Sequence, residues 1–99
     1  MRLSADEITA IKAAAREAFG ETVVVRLFGS RTDDSKRGGD IDLLFEVDRL
    51  DDEWHAKERF LDRLFTRIDE RRVDMVVAVR GQPADSFAAM VRPLSVALP

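Results

Sequence analysis

A chain of 99 residues, 45% apolar and 35% charged, has room for one small core and the composition of a folded domain. A formal net charge of -3 does not favour a nucleic-acid backbone as the main partner, and the absence of cysteine excludes disulfides, thiolate metal sites and a cysteine nucleophile. The single histidine, His55, excludes a multi-histidine zinc centre, so any metal must be held largely by carboxylates, whose hard oxygens suit Mg2+ or Mn2+.

Taken in chain order, Ser4 and Glu7 have capping-box spacing, and Ile8, Ile11, Ala15 and Ala18 recur at helical intervals before Gly20. The spacing predicts an amphipathic helix over residues 4–19. Residues 22–28 are rich in β-branched side chains and read as a strand buried on both faces in its first half. Gly29 ends it, and residues 30–39 form a polar loop, or a short helix and loop, closed by two glycines. Residues 40–47 return to strand character: Ile41, Leu43 and Phe45 fall on one face, Asp40 and Asp42 on the other.

A second helix is predicted from Asp52 to about Glu70, with Trp54, Leu61, Leu64, Phe65 and Ile68 as its apolar stripe. Residues 72–79 read as a third strand, and Asp85 or Ser86 can cap a short last helix ending before Pro93. Helix, strand, polar turn, strand, helix, strand, helix predicts an α/β (α+β) fold, a small mixed sheet flanked by helices, in one domain over residues 1–99. No apolar run approaches the ~20 residues of a membrane helix, and the acid-bearing start lacks an apolar leader core. The expectation is a cytoplasmic protein with no membrane partner.

The chemistry concentrates in residues 27–45. On a strand, Asp40 and Asp42 point to the same side, with Cα atoms roughly 6–7 Å apart. Two anions so close are costly to desolvate unless a positive group sits between them, and a divalent cation meets that need. Gly29-Ser30 directly follows a strand; glycine allows close backbone approach, and a helix starting at Ser30 would offer free amides and a hydroxyl to an anion. Arg31, Lys36 and Arg37 can add positive charge near a triphosphate, largely offset by Asp33 and Asp34. A third acid, Asp74, interrupts an otherwise apolar strand. If that strand pairs beside the one carrying Asp40 and Asp42, three carboxylates share a face, enough for two Mg2+ ions.

Gly29-Ser30, nine intervening residues, then Asp40-Ile41-Asp42-Leu43 resembles the signature of the DNA polymerase beta-type nucleotidyltransferase superfamily. On so short a chain, Phe28-Gly29-Ser30-Arg31 followed by Gly38-Gly39-Asp40-Ile41-Asp42-Leu43-Leu44 is similar to the minimal nucleotidyltransferases paired with HEPN-domain proteins in toxin–antitoxin modules. Where many relatives continue with a small residue, an arginine and a glycine, this chain has Thr32-Asp33-Asp34. The resemblance spans residues 23–79. It implies that Gly29, Ser30 and Arg31 bind nucleotide, and that Asp40, Asp42 and Asp74 are catalytic carboxylates holding two Mg2+ (or Mn2+) ions. It also implies transfer of a nucleoside monophosphate, AMP from ATP, to a hydroxyl of a partner protein, with a HEPN-type toxin as the partner and antitoxin as the role.

Plainer readings stand beside this one. Asp40 and Asp42 could be a solvated loop end; Asp74 could pair with Arg71 or Arg72 at the surface; Ser30 could cap a helix, a role compatible with phosphate binding. Trp54 and the phenylalanines read as core or interface, and His55 as exposed. At the level of function the alternatives are a non-catalytic antitoxin acting by complex formation and a small-molecule nucleotidyltransferase completed by a second subunit. Outside the core only one helix and about twenty residues remain, too few for a second substrate domain.

Overall fold

The computed structural model describes residues 3–29, 40–83 and 85–99. Ser4 accepts the amide of Glu7 while Glu7 Oε1 accepts that of Ser4, so the capping box forms and starts α1 (Ala5–Phe19). Gly20 closes α1 at φ 102°, a conformation that favours glycine. Then come β1 (Val24–Phe28), β2 (Ile41–Val47), α2 (Glu53–Leu64), β3 (Val73–Val79), α3 (Ser86–Val91), a 3₁₀ turn (Arg92–Leu94) and β4 (Val96–Ala97). The sheet order is β3-β2-β1-β4. β1 runs antiparallel to β2 and β4, whereas β2 and β3, joined through α2, run parallel. This is the small mixed sheet flanked by helices that the residue pattern predicts.

Each sheet face has its own apolar cluster. On one face Ile41, Leu43, Phe45 and Val47 of β2 pack with Ile11, Ala14 and Ala15 of α1 and with Phe60 and Leu64 of α2. Phe45 lies at the centre: its ring stacks on Phe19 at 4.5 Å between centroids and meets Phe60 edge-on at 4.8 Å. On the other face Phe28 and Leu44 are covered by Ala88 and Val91 of α3, with Val76 and Ala78 beside them. Period-two alternation therefore assigns Asp42, Leu44 and Glu46 to the α3 face and the odd-numbered residues of β2 to the main core.

Four expectations need correction. β1 is buried on both faces in its second half, at Leu27 and Phe28, while Val24 is 36% exposed, because α3 covers only that end of the strand. α2 stops at Leu64 rather than near Glu70. The Thr66 hydroxyl and Arg67 Nη1 both donate to the Arg63 carbonyl, and Arg67 N turns back to Leu64 O, so side chains compete for the carbonyls a longer helix would use. Phe60, outside the predicted α2 stripe, is fully buried, whereas Trp54, within it, is 65% exposed. Finally β4 is absent from the predicted elements; two residues carry too little periodicity to be read, and pairing with β1 creates the strand.

Candidate functional site

The three candidate carboxylates lie at one end of the sheet. Asp42 is the second residue of β2, partly buried, and is aligned with Phe28 on β1 and with Asp74 on β3. Strand neighbours in register are roughly 4.8 Å apart along the hydrogen-bonding direction. Asp42 and Asp74 therefore stand side by side on the α3 face. Asp40 immediately precedes β2 and is exposed; strand pairing begins with Ile41, whose amide donates to Arg72 O. The even numbering of Asp40 continues the side occupied by Asp42.

Gly29 is where β1 ends and the loop to β2 departs. It holds φ 75°, a region that penalises any side chain, and a Cβ there would lie 2.9 Å from Asp42 Cγ and closer still to Oδ2. The backbone at Gly29 thus rests directly against the Asp42 carboxylate, a relation that needs glycine twice over. Ser30 and Arg31, the other two nucleotide-binding candidates, and Lys36 and Arg37 lie outside the described residues.

Asp74 has a cationic neighbour. Arg72 Nε lies 3.4 Å from Asp74 Oδ1, with both side chains well exposed, so the pair contributes little stability. Arg71 turns the other way, onto Glu7 Oε2 at 2.6 Å, and ties the start of α1 to the start of β3. Of the two arginines weighed as partners of Asp74, Arg72 is the one in contact. Its signal in the sequence is the i, i+2 spacing, which on a strand places Arg72 and Asp74 on the same side.

Among the described residues no group of three or more His, Asp or Glu side chains is gathered closely enough to hold a metal ion. Asp42 and Asp74 are brought together by register, and Asp40 is not drawn into a cluster with them. The all-oxygen donor set still suits a hard divalent cation in its chemistry.

His55 is exposed, as expected, and its Nδ1 meets Asp52 Oδ2 at 2.5 Å. Asp52 also caps α2 by accepting the His55 amide, and these two contacts hold its carboxyl below the usual aspartate range. Asp48, just after β2, is lowered likewise by the Thr22 hydroxyl and then by Arg80, which also donates to Thr22 O. Both groups follow from the opposite end of β2 and take no part in the carboxylate site. Glu46 shares the Asp42 face and is 16% exposed, clamped by Arg92 Nε at 2.6 Å and near Arg26 at 3.9 Å. That network fastens the 3₁₀ turn to the sheet.

No helix among the described residues is long and apolar enough to cross a membrane. Compared with known proteins, the chain matches no family model and no curated protein.

Proposed function

We propose that this chain is a metal-dependent nucleotidyltransferase that moves a nucleoside monophosphate, AMP from ATP, to a hydroxyl of a partner protein, in the manner of an antitoxin acting on a HEPN-type toxin. The observation that carries the reading is the alignment of Asp42 with Asp74 on parallel strands, beside a glycine whose backbone lies against Asp42. It supports the resemblance because Gly29 and Asp42, one residue from each half of the motif, meet where β1 ends and β2 begins.

In this mechanism Asp42 and Asp74, with Asp40 at the start of β2, would hold Mg2+ or Mn2+. The bound ions would neutralise phosphate charge and favour an ionised acceptor hydroxyl. The chain's own contribution is positioning. β2 is fixed by Ile41, Leu43 and Phe45 in the core, so the Asp42 carboxylate projects from a rigid strand. Gly29, without a side chain, lets the phosphates come close to Asp42, and the Ser30 hydroxyl and amide would hold them by hydrogen bonds. Asp74, exposed on β3, is suited to accept the proton of an acceptor hydroxyl arriving from outside. Arg72 beside it adds a positive charge at the same edge.

The test is label transfer. Purified protein with Mg2+, α-labelled ATP and a HEPN-type partner should give a labelled partner, and chelation of Mg2+ should abolish it. Absence of transfer from all four common NTPs would sink the catalytic reading.

A second reading is favoured by the exposed Arg72–Asp74 ion pair, which engages one of the candidate carboxylates. On it the chain is a binding module that neutralises its partner by complex formation alone. It requires Asp40→Ala/Asp42→Ala to protect cells from that partner as well as the parent protein does, whereas the catalytic reading requires protection to be lost.

A further inference from the structure

We propose that the outer edge of β3 is an interface at which a second copy of this chain pairs antiparallel, joining two four-stranded sheets into one of eight strands. The inference rests on the sheet edge, which includes Asp74, and its test reads association rather than transfer.

β3 ends the sheet, and no strand among the described residues pairs with its outer side. Exposed strand edges are usually blunted by shortness, proline, a bulge or lysine. β4, at the opposite edge, is only two residues long. β3 is seven residues, Val-Asp-Met-Val-Val-Ala-Val, without proline, glycine or lysine and with Asp74 as its sole charge. Six of the seven are half-buried, although their neighbours on β2 are mostly buried.

The ladder to β2 determines which backbone groups face outward. Arg72 O accepts from Ile41 N, and Arg80 N donates to Val47 O, so even-numbered residues of this stretch turn their N–H and C=O toward β2. Alternation turns those of Val73, Met75, Val77 and Val79 outward. Of these, the Val79 carbonyl also accepts Gln82 N in the closing turn and retains a second lone pair. Two outward rows can meet antiparallel only where odd residues face odd residues, so the two-fold axis must pass through a residue.

Charge selects among these registers. An axis through Val76 sets Arg72 against Arg80 at both ends, a like-charge contact, and an axis through Met75 leaves Asp74 against Val76. An axis through Val77 sets Asp74 opposite Arg80 twice, with Met75 facing Val79 and Val76 facing Ala78. Arg80 donates through Nη1 to Asp48 and through Nη2 to Thr22 O, so meeting Asp74 of the second copy exchanges these exposed bonds for an ion pair across the seam. The strand is thus self-complementary in hydrogen bonding, apolar pairing and charge. Asp74 would then lie at the seam, beside Arg80 of the second copy.

The experiment is sedimentation velocity on the intact chain over a dilution series, with amide exchange followed by NMR. A monomer–dimer equilibrium is expected, with protection at the Met75 and Val77 amides rising as the dimer populates. Val77→Pro removes an outward N–H without touching the bonds to β2, and should be monomeric with an unchanged far-ultraviolet circular dichroism spectrum. Should that variant not fold, Asp74→Lys at an exposed position decides the matter: it sets like charges together at both ends and should weaken the dimer at least about ten-fold. A monomer at every concentration, a dimer whose Met75 and Val77 amides exchange freely, or one that Asp74→Lys leaves as tight would each overturn the proposal. So would association only with a strand of another protein.

Discussion

Gly29 and Asp42 are in steric contact across the β1–β2 pair: the glycine stands at φ 75°, and any Cβ placed on it would overlap the Asp42 carboxylate. The candidate phosphate-binding turn and the candidate metal-binding acid are therefore one packed unit. Gly29→Ala should lower stability by about 1–3 kcal/mol, from the left-handed backbone and the overlap, and should displace Asp42. Urea unfolding would measure the first effect. Because part of the cost is contact with Asp42, Gly29→Ala combined with Asp42→Ala should lose less than the sum of the two single changes.

The carboxylates themselves should separate activity from folding. Asp42→Asn and Asp74→Asn each remove a charge at the exposed end of the sheet without removing a core side chain. Each should reduce Mg2+-dependent AMP transfer by roughly a hundred-fold or more while thermal unfolding changes little. The double variant should be scarcely worse than either single one, since the two act as a unit. Comparable transfer by either variant and the parent would count against the assignment.

Phe60 is the core residue that helical counting passed over, and it should behave as one. It is fully buried and meets Phe45 edge-on, so Phe60→Ala should cost about 3–5 kcal/mol by urea denaturation. Trp54→Ala, on an exposed side chain of the same helix, should change stability by no more than about 0.5 kcal/mol.

The α2 cap carries a pH signature. Asp52 is lowered chiefly by the His55 amide and then by the His55 side chain. A lowered folded-state value means that its contribution is present above the unfolded aspartate range, near pH 4, and is lost as pH falls through the folded value. Wild type should therefore melt higher than Asp52→Ala at pH 7, and the gap should close as the solution is acidified below pH 4. A gap that stayed constant to low pH would show that the carboxylate is not the capping group in its ionised form.

Local rules made much of this protein legible. Ser4 and Glu7 satisfy each other's backbone donors within one turn, so the start of α1 needs no distant contact. Alternation along β2 is equally local, and it put Ile41, Leu43 and Phe45 in the core with Asp42 opposite. The residues that carry the resemblance to nucleotidyltransferases, Gly29-Ser30 and Asp40-Ile41-Asp42, likewise lie within one short stretch. Only the tertiary structure decided what depends on strand order and register. Those are set by how the two apolar clusters close around the sheet, and separations of tens of residues leave no periodic trace in the chain. That is why Asp74 aligns with Asp42 and why β4 exists at all. The Gly29–Asp42 contact has both origins: the sequence alone places a glycine at a turn, but only the pairing of Phe28 with Asp42 brings the carboxylate against it.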